Sequence, residues 1–241
     1  MKGLMFTLGA AAIVFGASNA LAALVEADYQ YDGNALPQNS TPAFSVYFDV
    51  PPDISETVSN GILTLNSPYG KDHLYRYYGA AWTPGAAGTT VETRVKLDSV
   101  SSGAFGAGDI TLITNTASWT WQFRTDRLTE QGGNGTLLYA DLPGGLDPTD
   151  GFHDFRFAIT GESGPVNLYI DGNPTPAFTW TTGGGSNGAR IDWGDNLGTS
   201  GGQMEWDYIQ WTNDGAYAPV PEPASLSLLA LGALALRRRR A

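Results

Sequence analysis

Residues 152–173, FHDFRFAITGESGPVNLYIDGN, alternate apolar and polar side chains in two runs. Phe155, Phe157 and Ile159 share one face of the first run, and Val166, Leu168 and Ile170 share one face of the second. Asp154 and Arg156, then Asn167 and Tyr169, fall on the opposite faces. Period-two alternation predicts two strands, each with one buried face, joined through the Gly-Pro turn at 160–165. A lone hairpin is marginal in water, so this pair predicts a larger sheet around it. The pattern recurs at 91–97, VETRVKL, with Val91, Val95 and Leu97 inward and Glu92, Arg94 and Lys96 outward. Further β-type runs lie at 24–31, 43–49, 57–66 (with an Asn60-Gly61 turn), 73–79, 109–114, 119–125, 137–141, 177–181, 190–193 and 204–212. About twelve short strands, separated by glycine-, proline- and serine-rich breaks and by no long amphipathic helix, predict an all-β antiparallel sandwich.

Composition narrows this reading. The chain has 241 residues, 31 of them glycine and none cysteine, which removes disulfides and thiolate metal sites. Its formal net charge is −11, but Lys2 and four terminal arginines mask a more acidic interior. All 24 acidic residues and eight of the basic ones lie between Glu26 and Glu222, a net −16. Such a body repels nucleic acid and anionic lipid, so neither is expected as a partner. One sandwich over 23–215, followed by a linker at 216–219, accounts for the length.

The two ends read as addresses. Lys2, an apolar run over 4–16 and Ala20-Leu21-Ala22 form a secretory signal peptide over 1–22, with cleavage expected before Ala23. Residues 220–241 read VPEPASLSLLALGALALRRRRA. Thirteen apolar or weakly polar residues are too few for a comfortable permanent span, which takes ~20. The arginine block predicts transient membrane insertion with the C-terminus inside. Pro221-Glu222-Pro223, the short apolar run and Arg237, Arg238, Arg239 and Arg240, in that order, resemble the PEP-CTERM sorting signal of Gram-negative bacteria. The resemblance implies processing by an exosortase near Pro221-Glu222-Pro223, with the product passed to the cell surface or extracellular matrix.

Four blocks, SNGILTL at 59–65, VETRVKL at 91–97, FHDFRFAI…VNLYIDG at 152–172 and WDYIQW at 206–211, occur in sequence. Together they resemble the concanavalin A-like lectin/glucanase superfamily, and within it the laminarinase-type glycoside hydrolases. That resemblance implies a jelly roll of two curved sheets, with carbohydrate held on the concave face of one. It also implies a Glu-x-Asp-x-x-Glu strand between the second and third blocks, since alternate strand residues share a face and would aim their carboxylates into one cleft. The motif is absent. Glu130 is the one glutamate between Leu97 and Phe152, in an expected loop beside Gly132-Gly133, and Asp126 does not complete a pair with it. No catalytic residue is therefore assigned.

Other candidates are weaker in kind. Glu205 and Asp207 begin a similar spacing, but Gln210 stands where the second glutamate would be. His73, His153, Arg76 and Tyr77 supply the residue types of a jelly-roll lyase without its Gln-x-His strand. Trp119, Trp121 and Phe123 share one strand face, either as core or as a platform on which pyranose rings stack. Trp119 and Trp121, with Tyr75, Tyr77 and Trp82, are the expected ligand-binding aromatics. The glucanase resemblance further implies a structural calcium ion held by Asp207 and by the carbonyl of the Asn60-Gly61 turn, most directly Gly61. Asp192, Asp195 and Asn196 form a second oxygen-rich stretch of the kind usually found in turns. The expected function is a non-catalytic, surface-sorted protein that binds an extracellular polysaccharide or packs into the matrix. The alternatives are a divergent polysaccharide-degrading enzyme, hydrolase or lyase, and a purely structural surface protein.

Overall fold

The computed structural model describes residues 27–49, 54–101, 106–131, 137–181, 183–186, 188–195 and 201–220. The expected signal peptide, the sorting signal from Pro221 onward and Asn196 lie outside the described residues. Sixteen strands follow one another: β1 Tyr29–Tyr31, β2 Ser45–Asp49, β3 Ser55–Ser59, β4 Ile62–Ser67, β5 His73–Tyr77, β6 Thr89–Val100, β7 Gly108–Ile113 and β8 Ala117–Phe123, then β9 Arg127–Gln131, β10 Leu137–Asp141, β11 His153–Ile159, β12 Val166–Ile170, β13 Phe178–Trp180, β14 Gly184–Gly185, β15 Arg190–Asp195 and β16 Gly202–Thr212. Two 3₁₀ turns, Pro37–Asn39 and Pro143–Gly145, are the helical elements among the described residues.

The strands form two antiparallel sheets. The first runs β13-β12-β11-β6-β16-β4-β3, with β1 alongside β16, and the second runs β10-β9-β8-β7-β15-β5-β2, with β14 beside β8. The central hairpin pairs as its alternation requires, with Phe155 opposite Ile170, Phe157 opposite Leu168 and Ile159 opposite Val166. At the β3–β4 turn, Asn60 and Gly61 both take left-handed backbone (φ 53° and 78°), the conformation whose twist suits a two-residue hairpin. β16 changes partner along its length: residues up to Trp206 pair with β4, and residues from Ile209 on pair with β1. A bulge between Trp206 and Tyr208, centred on Asp207, marks the change. Past it, Asp28 binds the end of β16, donating its N–H to the Trp211 carbonyl (3.0 Å) and accepting from the Thr212 hydroxyl (2.7 Å).

The core is an aromatic seam between the sheets. Trp121 of β8 stacks on Phe157 of β11 with ring centroids 4.3 Å apart, and Trp193 of β15 meets Trp206 of β16 at 5.0 Å. Phe123 contacts Phe155 and Trp206 edge-on at 5.2 and 5.9 Å. Each such pair contributes about 0.5–1.5 kcal/mol beyond the area it buries.

Candidate functional site on the outer face of the second sheet

Because side chains alternate, placing the tryptophans inward fixes what the second sheet shows outward. Ile110 and Leu112 of β7, Trp119, Trp121 and Phe123 of β8, and Ile191 and Trp193 of β15 lie in the core. The residues between them turn outward: Asp109 and Thr111, then Ser118, Thr120 and Gln122, then Arg190 and Asp192. Strand register sets these in rows, one running Thr120–Thr111–Asp192–Arg76 and another Thr129–Gln122–Asp109. The Thr111 and Thr120 hydroxyls lie 2.8 Å apart. Asp109, Gln122 and Thr129 are buried, and neither the Gln122 carbonyl oxygen nor the Thr129 hydroxyl has a hydrogen-bond partner among the described residues.

A clamp closes the β5 end of this face. Arg76 donates to both oxygens of Asp192, Nε to Oδ1 and Nη2 to Oδ2, each at 2.7 Å. Arg190 Nε donates to Oδ2 of the same carboxylate at 2.8 Å. Two-pronged pairing of this kind fixes the guanidinium plane as well as its position. The Arg76 guanidinium carbon sits 3.5 Å from the centre of the Tyr47 ring and 5.4 Å from that of Tyr78, while Nη1 donates to the Tyr78 hydroxyl at 3.1 Å. Cation–π contact of this kind contributes about 0.5–2 kcal/mol. The tyrosines nonetheless remain 50% and 58% exposed. Two rings are thus held rigidly against a buried ion pair with much of their surface in water.

The aromatics expected to bind ligand are elsewhere. Trp119, Trp121, Tyr75 and Trp82 are buried, so none offers a ring face to a sugar. The stripe on β8 points at the opposite sheet because a two-sheet sandwich must fill its interior with its largest apolar rings. Trp82 donates Nε1–H to the Ile113 carbonyl at 2.7 Å, and the Tyr75 hydroxyl is taken up by Glu56. Tyr77 is half-buried, its ring 5.8 Å from Trp211 and 5.7 Å from Phe44, and its hydroxyl accepts the Ala81 N–H at 3.3 Å. Tyr47 was missed because it occupies a bulge in β2, where simple alternation fails.

Among the described residues, the acids singled out from the sequence do not come together as a catalytic pair. The outward positions of β8 are Ser118, Thr120 and Gln122, and Asp192 is saturated by two arginines. Glu130 is not in a loop: it lies on β9 opposite Trp121, turned into the core and buried, with neither oxygen hydrogen-bonded. Loss of water there pushes its carboxyl up to about 7. Glu205 pairs with Lys96 at 3.4 Å and Asp207 with Arg94 at 3.4 Å, both on the first sheet. The lyase-type residues do not converge either. His73, buried and 3.2 Å from Glu56, faces the core, Arg76 faces outward on the same strand, and His153 sits between Asp171 (2.8 Å) and Asp150 (3.1 Å) on the other sheet. Asp192 and Asp195 point to opposite faces of β15 and form no common oxygen site.

No group of three or more acidic or histidine side chains suited to a metal occurs among the described residues. Carbonyl oxygens, however, gather at the β16 bulge. A Cβ added to Gly33 (φ +68°) would lie 2.0 Å from the Gly61 carbonyl oxygen and 2.9 Å from that of Asp207. One added to Gly61 would lie 3.7 Å from the Asn34 side-chain oxygen and 3.9 Å from the Asp32 carbonyl. This oxygen-rich junction suits calcium, a hard cation that takes carbonyl, carboxylate and water oxygens.

The fold and its two faces define a concanavalin A-like jelly roll. Solved structures similar to the chain include an endo-1,3-beta-glucanase from Streptomyces sioyaensis (12% identity, TM-score 0.52, covering 77% of this chain and 95% of that one). The catalytic domain of an endo-1,3-beta-glucanase (laminarinase) from Thermotoga petrophila matches at 13% identity and TM-score 0.53, over 77% and 96% of the two chains. The Bacillus licheniformis beta-glucanase matches at 15% identity and TM-score 0.51, over 78% and 99%. No curated protein is similar to the chain in sequence. Residues 219–240 match the PEP-CTERM protein-sorting motif, a signal for exosortase processing that implies export and sorting to the surface.

Proposed function

We propose that the protein is a surface-sorted, non-catalytic carbohydrate-binding sandwich that takes a glycan chain over Tyr47 and Tyr78 on the outer face of the second sheet. The observation carrying this is the pair of half-exposed rings locked by Arg76 and Asp192. Aromatic faces pack the CH groups of pyranose rings, and rings already fixed lose little entropy on binding. Thr120, partly exposed in the same row as Asp192 and Arg76, supplies a hydroxyl partner. The acidic body favours a neutral glycan over an anionic one. An N-terminal signal peptide, removed on export, belongs to the same reading. A structural calcium ion at the Gly61–Asp207 junction would tie the first and last strands together away from the glycan face.

The second reading, a divergent polysaccharide-degrading enzyme, draws on the fold shared with the endo-1,3-beta-glucanases. Against it stands the outer face of β8, which holds no acid. The two readings separate on a glycan array followed by turnover assays. Binding is expected to a neutral polysaccharide, weakened about tenfold by Tyr47→Ala or Tyr78→Ala, a loss of about 1.4 kcal/mol each, with the fold retained and stability lowered by no more than the lost ring contact, about 0.5–2 kcal/mol. Turnover of laminarin or lichenan would overturn the non-catalytic assignment, and binding indifferent to both tyrosines would remove the platform. Millimolar calcium is expected to raise the melting temperature relative to chelator, and Asp207→Ala to reduce that shift.

A further inference from the structure

On the outer face of the first sheet, five side chains from three strands form one network. Glu92 of β6 receives Arg156 Nε on Oε2 (2.6 Å), Gln210 Nε2 on Oε1 (2.8 Å) and the Tyr208 hydroxyl on Oε1 (2.9 Å). The same Tyr208 hydroxyl lies 2.8 Å from Oδ1 of Asp154 on β11. Glu92, Asp154, Arg156 and Gln210 are all buried. A phenol has one hydrogen, so it can donate to one carboxylate and not to both. Two ionised carboxylates around it would leave an oxygen–oxygen contact near hydrogen-bond length with no hydrogen in it. One acid must therefore carry a proton. Glu92 already has the Arg156 guanidinium and the Gln210 amide directed at it, whereas the Asp154 side chain has no donor besides Tyr208 among the hydrogen bonds described.

We infer that Asp154 holds a proton and donates it to Tyr208, which donates in turn to ionised Glu92, so that a single-file chain clamps β16 onto β11 and β6 and loosens when that proton leaves. This goes beyond the glycan reading and does not depend on it. Other charged groups facing Asp154 leave the logic intact. Arg94, its cross-strand neighbour on β6, is engaged with Asp207 of β16. Asp171, at the end of β12, accepts the Asp154 backbone N–H at 3.0 Å and adds negative charge, and it holds His153 of β11 on its other oxygen. Burial first, and then the Glu92 charge, raise the Asp154 carboxyl from 3.8 to about 6, while Tyr208 and Arg94 act the other way. Burial and the same two acids push the Tyr208 phenol up, so it stays protonated throughout. A raised acid stabilises the fold below its unfolded value and loses that contribution as pH rises to the folded one, here between about 4 and 6.

The test compares Asp154→Asn with Glu92→Gln in the full chain. Asparagine presents an N–H to Tyr208 as the protonated acid does, and stays neutral. Asp154→Asn is expected to fold, to match wild type near pH 4 and to melt higher than wild type at pH 7. Glu92→Gln strands the Arg156 charge and is expected to melt lower at every pH. The Asp154 carboxyl carbon, followed by NMR, is expected to titrate about two pH units above the exposed aspartates. Failure of Asp154→Asn to fold, destabilisation by it equal to that of Glu92→Gln, or titration of Asp154 among the exposed aspartates would each overturn the assignment.

Discussion

Glu130 offers a direct measurement of what a buried charge costs in this sandwich. Its carboxyl is shut off from water against Trp121 and has no hydrogen-bond donor among the described residues. Burial raises its proton affinity from 4.5 to about 7. The folded state therefore keeps the proton while the unfolded chain releases it, so stability is highest below about 4.5, falls as pH climbs to about 7 and is flat above. At about 1.4 kcal/mol per pH unit, the difference amounts to about 3 kcal/mol. Glu130→Gln keeps the shape and removes the charge. Near pH 8 it is expected to stabilise the protein by up to about 3 kcal/mol, roughly 6–12 °C in melting temperature for a domain of this size. Near pH 4.5 the two proteins should coincide to within about 1 kcal/mol. The assay is urea and thermal unfolding of both proteins at half-unit steps from pH 4.5 to 8. Parallel curves across that window would show that Glu130 titrates as an exposed glutamate, and the argument from burial would fail.

Trp121→Ala removes the ring stacked on Phe157 and should cost about 3–5 kcal/mol by urea unfolding, a loss too large for a surface platform residue. Asp192→Asn leaves the buried Arg76 charge without a counter-ion; about 3–5 kcal/mol of stability should be lost, and glycan binding should weaken with it as Tyr47 and Tyr78 lose their support. Gly33→Ala drives a methyl into the Gly61 carbonyl and strains the backbone by about 1–3 kcal/mol, seen as a lower melting point in chelator, and any calcium shift should disappear. Replacing Arg237, Arg238, Arg239 and Arg240 by neutral residues removes the positive-inside signal and should leave an unprocessed precursor on immunoblots of cell fractions.

Local alternation made the frame legible. VETRVKL lies within β6, and the hairpin at 152–173 closes with its apolar residues in register, because both signals depend only on neighbours in sequence. The β16 bulge and the short β14 were not legible, since they answer to partners far along the chain. The site divides the same way. Absence of an acid triplet can be read from sequence, but which face of the 119–123 stripe meets solvent depends on the opposite sheet. That dependence turned Trp119 and Trp121 from candidate platform into core. It also hid Glu130, whose neighbouring glycines suggested a loop, and Tyr47, whose ring meets a guanidinium held by a residue 116 positions further along the chain.

The exchange of partners along β16 has a mechanical consequence. Asp28 and Thr212 are bonded to each other, and β1 runs antiparallel to the last strand, so the start of β1 and the end of β16 lie at the same corner. A force drawing those ends apart loads the short β1 ladder one rung at a time, peeling it open, and does not shear all its rungs together. Load applied at those two points therefore enters the body at one corner. A domain held from one end alone bears no tension across its sheets, whereas load carried between Asp28 and Thr212 would open the three residues of β1.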